Sequence, residues 1–156
     1  MTKWITLLQN NDYIGVKQHI KEGADINDHN ENDESVLALA IKYKCDDELI
    51  DLLIDNGADL EDFDNEGVSI FDYAITYNNI PLVQKMIADG TDVNQTSRRS
   101  RFTPLMAAVC YGRVELVSIL LANGADKNAM DAQGFTAVSF AEKMRKQSML
   151  KMLDSN

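Results

Sequence analysis

Four segments of the chain share one pattern of apolar and polar positions. In each segment, apolar residues recur three and four positions apart, which is the spacing of one face of an α-helix, and polar residues fill the other face. Each segment therefore predicts an amphipathic helix that buries one side. The apolar positions in this shared register are Leu49, Ile50, Leu52 and Leu53; Leu82, Val83 and Met86; Leu116, Val117, Ile119 and Leu120; and Met149, Leu150, Met152 and Leu153.

A shorter helix is predicted before each of these four helices. Thr103 is a good N-cap because its hydroxyl can accept a backbone N–H, and Pro104 suits the first helical position, where no N–H is needed. Gly124 suits the end of the longer helix, where the backbone often adopts a positive φ. The equivalent N-cap positions are Ser35, Ser69, Thr103 and Thr136, and the equivalent small residues of the short helices are Ala40, Ala74, Ala108 and Ala141.

The whole unit returns with a fixed period of 33 or 34 residues. Its final glycine recurs at Gly23, Gly57, Gly90 and Gly124. One such unit cannot bury its own apolar face, so it needs a neighbour on which to pack. A constant period in this range, with two helices in each unit, is typical of a solenoid protein.

The motif of the third full unit resembles the ankyrin repeat. Residues 103–108 read Thr-Pro-Leu-Met-Ala-Ala, close to the family's Thr-Pro-Leu-His-x-Ala, and residues 124–126 give its Gly-Ala-Asp ending. The resemblance covers essentially the whole chain. It implies an all-α ankyrin-repeat solenoid of stacked helix-turn-helix units with projecting, β-hairpin-like fingers. The sequence departs from the motif in two ways: only Pro104 keeps the proline, and the histidine is replaced by Ala38, Asp72, Met106 and Ser139.

The resemblance also divides the chain. We expect a single ankyrin-repeat domain of residues 1–156, with repeats at about 1–29 (a cap), 30–63, 64–97, 98–130 and 131–156 (a cap). A chain of 156 residues with 45% apolar content is long enough for a continuous core. In the first cap, the register predicts that Trp4 is a core anchor and that His19 is a half-buried structural residue.

Cysteine content and the first residues indicate the compartment. Cys45 and Cys110 lie two repeats apart, too far for a disulfide, so we expect free thiols and a reducing environment. The first residues lack the apolar run of a signal peptide, and no stretch is long enough to span a membrane. These features predict a cytoplasmic protein without membrane association.

Charge is distributed unevenly along the chain. The net charge is −10; residues 1–94 carry 20 acidic and 6 basic side chains, whereas residues 95–156 carry 5 and 9. The overall negative charge argues against nucleic acid as a partner. The acidic turns of the first half favour a protein partner with a basic patch, although acidity that serves only solubility explains the same composition.

The family resemblance implies that a partner protein contacts the finger turns and the concave side formed by the first helices. The third residue after the motif alanine is a tyrosine in three repeats, at Tyr43, Tyr77 and Tyr111, and is Met144 in the last cap. A row of tyrosines suits an interface but also suits packing between repeats. Three arginines in residues 98–101 suit a phosphate or acidic peptide, or are simply a solvated turn. The predicted partner-binding residues are Tyr43, Tyr77, Tyr111, Phe63, Phe102, Arg98, Arg99, Arg101, Met106, Glu31, Asn65 and Glu66.

No catalytic arrangement is evident in the sequence. There is no glycine-rich phosphate loop after a strand, no nucleophile elbow and no closely spaced pair of His or Cys ligands. The oxygen spacing of Asp28, Asn30 and Asn32 is similar to a calcium loop, but Asp33 and Leu39 occupy positions that need Gly and Glu. We therefore expect no enzyme, no cofactor and no metal.

Two functions remain as hypotheses. The first is a monomeric protein-binding module that acts as an adaptor, an inhibitor or a chaperone-like helper. The alternative is a structural or self-associating solenoid without a dedicated partner, which the polar surface of the last cap disfavours.

Overall fold

Ten α-helices, arranged as five consecutive pairs, make up the regular structure of residues 1–155, the part of the chain that this computed structural model describes. Two isolated antiparallel bridges, His29 with Ser35 and Phe63 with Ser69, close two of the turns between pairs. The predicted all-α repeat architecture is confirmed. The helices are α1 (Thr2–Gln9), α2 (Tyr13–Lys21), α3 (Val36–Lys42), α4 (Asp47–Asp55), α5 (Ile70–Thr76), α6 (Ile80–Ala88), α7 (Pro104–Cys110), α8 (Val114–Ala122), α9 (Ala137–Lys143) and α10 (Gln147–Asp154).

The predicted N-caps are present at the start of the short helices. The Thr103 hydroxyl accepts the backbone N–H of Met106 at 3.2 Å, and the Ser35 hydroxyl accepts that of Ala38 at the same distance. Each cap satisfies one of the backbone donors that a helix start leaves unpaired. Ser69 and Thr136 cap α5 and α9 in the same way.

The residue that replaces the motif histidine often completes the cap from the other side. Asp72 Oδ2 accepts the Ser69 N–H at 3.1 Å, and the Ser139 hydroxyl accepts the Thr136 N–H at 3.1 Å. The Met106 sulfur takes the equivalent place opposite the Thr103 N–H at 3.5 Å. These side chains therefore stabilise the start of their own helix.

Every short helix ends on a residue with left-handed backbone. In α3, Lys44 has φ +56°, its N–H bonds to the Ile41 carbonyl, and the Cys45 N–H reaches back to the Ala40 carbonyl. This pattern is a Schellman cap, in which glycine is usual because a side chain strains the left-handed region. The equivalent left-handed residues are Asn11, Lys44, Asn78, Gly112 and Arg145. The longer helices α2, α4, α6 and α8 end as predicted, at glycines with positive φ, such as Gly124 with φ +89°.

The chain divides into two compact units, Met1–Tyr73 and Ala74–Asn156. In the first unit, α1 packs on α2 and α3, and α4 packs on α2 and α3. In the second unit, α7 packs on α8 and α9, and α10 packs on the same two helices. Each unit has an apolar core. The predicted positions Leu49 and Leu53 are buried in the first unit and Leu116 and Leu120 in the second, together with Leu8, Leu37, Leu105 and Val109. The single domain of residues 1–156 stays a prediction.

Trp4 is a core residue, as predicted. Its side chain is only 2% exposed, and its indole N–H donates to the Asp25 carbonyl at 3.1 Å. The half-buried His19 ring meets it edge-on, with 4.6 Å between ring centroids. Burial, followed by the positive charge of Lys3, lowers the pKa of His19. A neutral imidazole is therefore favoured against the indole.

Candidate protein-binding surfaces

The finger turns of the first unit are held by side chains that bond to their own backbone. The Asn30 side-chain oxygen accepts the N–H groups of Asn32 and Glu34, both at 3.0 Å. Asp64 does the same one repeat later, for Glu66 and Val68, both at 2.9 Å. These local bonds fix the turns without help from a partner, so the residues at their tips are displayed in defined positions.

Neighbouring turns of this unit are also joined to each other. The Asn65 N–H donates to the Asn32 carbonyl at 3.1 Å. The His29 ring nitrogen Nε2 lies 2.6 Å from Asp62 Oδ2. The two turns therefore form one connected, polar surface within residues 1–73.

The predicted finger residues of this unit lie at its surface. The Phe63 side chain is 55% exposed, which is a large exposure for an aromatic residue. Glu31, Asn65 and Glu66 are exposed on the same two turns. An aromatic ring among carboxylates suits contact with an apolar side chain flanked by cations. Their role in binding stays a prediction.

Beneath these turns, a buried polar cluster joins both fingers to the first helices. Glu34 is only 7% exposed, and its carboxylate accepts hydrogen bonds from Asn30 Nδ2 at 2.8 Å and from Lys42 Nζ at 2.9 Å. The buried Tyr73 hydroxyl lies 2.9 Å from Glu34 Oε1 and 2.7 Å from Asp64 Oδ2. The cluster therefore ties the base of one finger to the base of the next.

The electrostatics of this cluster follow from its burial and its hydrogen bonds. Burial by itself raises the pKa of Glu34, but the donors Asn30, Lys42 and Tyr73 outweigh it, and the pKa lies below its ordinary value. Burial, and then the adjacent carboxylates, raise the pKa of Tyr73. At neutral pH the cluster is thus a carboxylate held by a neutral phenol and a lysine.

Sequence reasoning missed the buried cluster. Glu34 occupies the position that holds Val68, Phe102 and Phe135 in the other repeats. A single acid at an otherwise apolar position was the available signal, because a buried carboxylate needs partners that the rest of the fold must supply.

The three predicted tyrosines occupy equivalent backbone positions but differ in exposure. Each is the residue directly after a short helix: Tyr43 after α3, Tyr77 after α5 and Tyr111 after α7. Tyr111 is 53% exposed, whereas Tyr43 and Tyr77 are half-buried. Tyr43 belongs to the first unit and the other two to the second, so a continuous row across the chain stays a prediction.

The second unit has a surface of a different kind. The Phe102 and Phe140 rings meet edge-on with centroids 5.4 Å apart, and Phe135 lies 5.8 Å from Phe140. The Arg98 guanidinium carbon lies 5.2 Å from the Phe102 centroid, and Lys143 Nζ lies 5.5 Å from the Phe135 centroid. The predicted Arg98 and Phe102 are therefore brought together, and sequence reasoning missed their connection to Phe140 and Lys143.

One predicted contact residue is not at the surface. Met106 is 1% exposed, and its sulfur faces the N-cap backbone of its own helix. The prediction that Met106 contacts a partner directly is therefore wrong, because its side chain is buried. An apolar thioether is stable in the core, where the motif's polar histidine would need hydrogen-bond partners.

Both cysteines are free thiols, as predicted. Cys45 is buried, its S–H donates to the Leu8 carbonyl at 3.2 Å, and burial raises the pKa of the thiol to about 11. Burial also raises the pKa of Cys110, although Lys146 opposes the shift. Both thiols are therefore protonated at neutral pH and are weak nucleophiles.

The helix pairs, their caps and their period define a repeat protein. A family model described as ankyrin repeats (three copies) matches the chain twice, over residues 5–97 and 77–156. The chain belongs to the ankyrin-repeat family. A search of the curated proteins found no match to it.

Family membership indicates the general class of function. Ankyrin repeats are in general protein–protein interaction modules, and their proteins are in general scaffolds rather than enzymes. Among residues 1–155, no helix combines the length and the apolar content needed to cross a membrane. The same residues contain no group of three or more His, Cys, Asp or Glu side chains arranged to hold a metal ion.

Proposed function

We propose that this protein binds a partner protein through its finger turns and the ends of its short helices, as an adaptor, inhibitor or chaperone-like helper of the cytoplasm. In the first unit, the partner would present a basic patch to the acidic turns. The observation that carries this proposal is Phe63, a 55% exposed ring displayed on a turn whose backbone is already fixed.

The charge of the first unit supports a basic partner. Residues 1–73 carry 18 acidic and 5 basic side chains. Complementary charge accelerates encounter and selects the partner, while desolvated aromatic residues at the centre supply most of the affinity. Phe63 would be such an anchor, with Glu31 and Glu66 steering the partner.

The test is affinity capture from the source cells with a surface variant and a matched control. The surface variant carries Phe63→Ala, Glu31→Gln and Glu66→Gln. The control carries Ile14→Ala, Glu48→Gln and Asp55→Asn, which removes an exposed apolar side chain and the same charge from helices of the same unit. Far-UV circular dichroism and melting confirm that both variants fold.

A partner retained by the wild type and the control, and lost by the surface variant, supports the proposal. Its association rate should also fall as ionic strength rises, because salt screens the steering charges. Equal retention by the surface variant, or a rate that does not change with salt, contradicts it. Concentration-dependent sedimentation of the pure chain, with no partner recovered, would instead favour self-association.

A further inference from the structure

We propose that the second unit has a separate docking surface, formed by Arg98, Arg99, Arg101, Phe102, Phe135 and Lys143, that binds a short acidic peptide segment with an apolar side chain between its carboxylates. This inference rests on the proposed function, since it requires that the chain is a protein-binding module. The inference adds a second partner to the proposed function. This partner is acidic, whereas the partner proposed for the first unit is basic.

The aromatic part of this surface is continuous. Phe140, on α9, contacts both the Phe102 ring and the Phe135 ring, so three aromatic side chains from three segments pack together. Phe135 remains 37% exposed, and Phe102 and Phe140 are half-buried. The rings are thus anchored from within but still present apolar surface to solvent, which is the arrangement expected for a site that receives an apolar side chain.

Cations flank the rings on both sides. Arg98 lies over Phe102 and Lys143 lies over Phe135, so a positive charge is held against the face of each of these two rings. Arg99 and Arg101 are exposed on the same turn as Arg98, and neither side chain has a hydrogen bond or ion pair within residues 1–155. Two guanidinium groups are therefore available to carboxylates, which they bind in a planar, two-pronged geometry.

The arginine turn is ordered before any partner arrives. The Arg101 N–H donates to the Arg98 carbonyl at 3.0 Å and closes the turn. The Thr96 hydroxyl donates to the Phe102 carbonyl at 2.8 Å, and the Ala132 N–H donates to the Ser100 carbonyl at 2.8 Å, which joins this turn to the next one. A preformed turn lowers the entropy cost of binding.

Charge complementarity selects the occupant. Residues 74–156 carry 10 basic and 7 acidic side chains, and residues 95–101 contain three arginines and no acid. The chain as a whole carries −10, which disfavours a long polyanion such as nucleic acid. A peptide of about ten residues needs only the second unit, and its carboxylates and apolar side chain match the two features found there.

The test is fluorescence anisotropy with a labelled 12-residue peptide of Asp and Glu around two Leu residues. Three further probes are a peptide with Asn and Gln for the acids, one with Gly for the leucines, and a DNA oligonucleotide of equal charge. Arg99→Gln with Arg101→Gln should weaken binding of the first peptide about tenfold, and Phe135→Ala about fivefold. Lys17→Gln with Lys21→Gln, a charge-matched control on α2, should leave it within about twofold.

The proposal predicts that only the peptide with both acids and leucines binds well. It is overturned if the wild type does not bind that peptide, if the control weakens binding as much as the arginine variant, or if the DNA or the leucine-free peptide binds equally. These failures leave the first proposal standing when capture still depends on Phe63, Glu31 and Glu66. If capture also no longer depended on Phe63, Glu31 and Glu66, both proposals would be contradicted.

Discussion

Tyr73 and Glu34, separated by 39 residues in the chain, meet through a hydrogen bond of 2.9 Å beneath the finger turns of the first unit. The same hydroxyl lies 2.7 Å from Asp64 Oδ2. A phenol has one proton to donate, so the two carboxylates share it. The stability of both finger bases therefore depends on one side chain of α5.

Removal of this hydroxyl should destabilise the protein. We expect Tyr73→Phe to lower the free energy of unfolding by about 1–2 kcal/mol, because it takes a donor from a buried carboxylate. Urea denaturation followed by circular dichroism measures the change. Tyr43→Phe is the matched control and should change stability by less than about 0.5 kcal/mol; equal effects would show that the shared proton contributes nothing.

Glu34 should make stability depend on acid pH. Its pKa is lowered in the folded state, so its contribution is complete above the ordinary glutamate pKa of about 4.3 and is lost as pH falls through the lower folded value. Glu34→Gln should therefore destabilise by about 1–3 kcal/mol at pH 7, and by less at pH 3.

Melting of wild type and Glu34→Gln across pH 3 to 7 measures this difference. The control is Glu31→Gln, an exposed acid on the same turn, which should change stability by less than about 0.5 kcal/mol. A constant difference between wild type and Glu34→Gln over this pH range would contradict the assignment of a stabilised Glu34 carboxylate.

At the left-handed residues that end the helices, introducing glycine should increase the stability of the protein and removing glycine should decrease it. Lys44 has φ +56°, so Lys44→Gly should stabilise by up to about 1 kcal/mol by removing strain. Gly57 has φ +97°, and an added Cβ there would meet nothing within 4 Å, so Gly57→Ala should destabilise by about 1–2 kcal/mol through the backbone alone. Chemical denaturation measures both; a destabilised Lys44→Gly would refute the strain argument.

Alanine substitution of each predicted tyrosine should distinguish a role in partner binding from a role in packing. Tyr111 is 53% exposed, so Tyr111→Ala should change stability by less than about 0.5 kcal/mol and weaken partner binding. The half-buried Tyr43 and Tyr77 should lose more stability when each is replaced by Ala. Thermal melts and titration with the captured partner measure the two properties; a large stability loss at Tyr111 would assign it to packing instead.

Features that depend on nearby residues could be predicted from the sequence. The Thr103 cap, the Pro104 start and the Gly124 end each involve backbone groups within a few positions, and the 33- or 34-residue period multiplies the signal. These local rules were sufficient to assign the helix pairs and the family.

Contacts between distant residues could not be predicted in the same way. The bond from Tyr73 to Glu34 and the packing of Phe140 on Phe102 depend on which side chains face each other after folding. The error at Met106 has the same origin, because a motif position identifies the backbone site but not its burial. The sequence therefore predicted the positions of the turns well. It predicted less well which side chains form the binding surfaces on those turns.

Amide hydrogen exchange with and without the captured partner tests the central claim most directly. The account predicts slower exchange in the finger turns of the first unit, residues 25–34 and 59–68, when the partner is bound, with little change in α4. Protection confined to α4, with these finger turns unchanged, would contradict it.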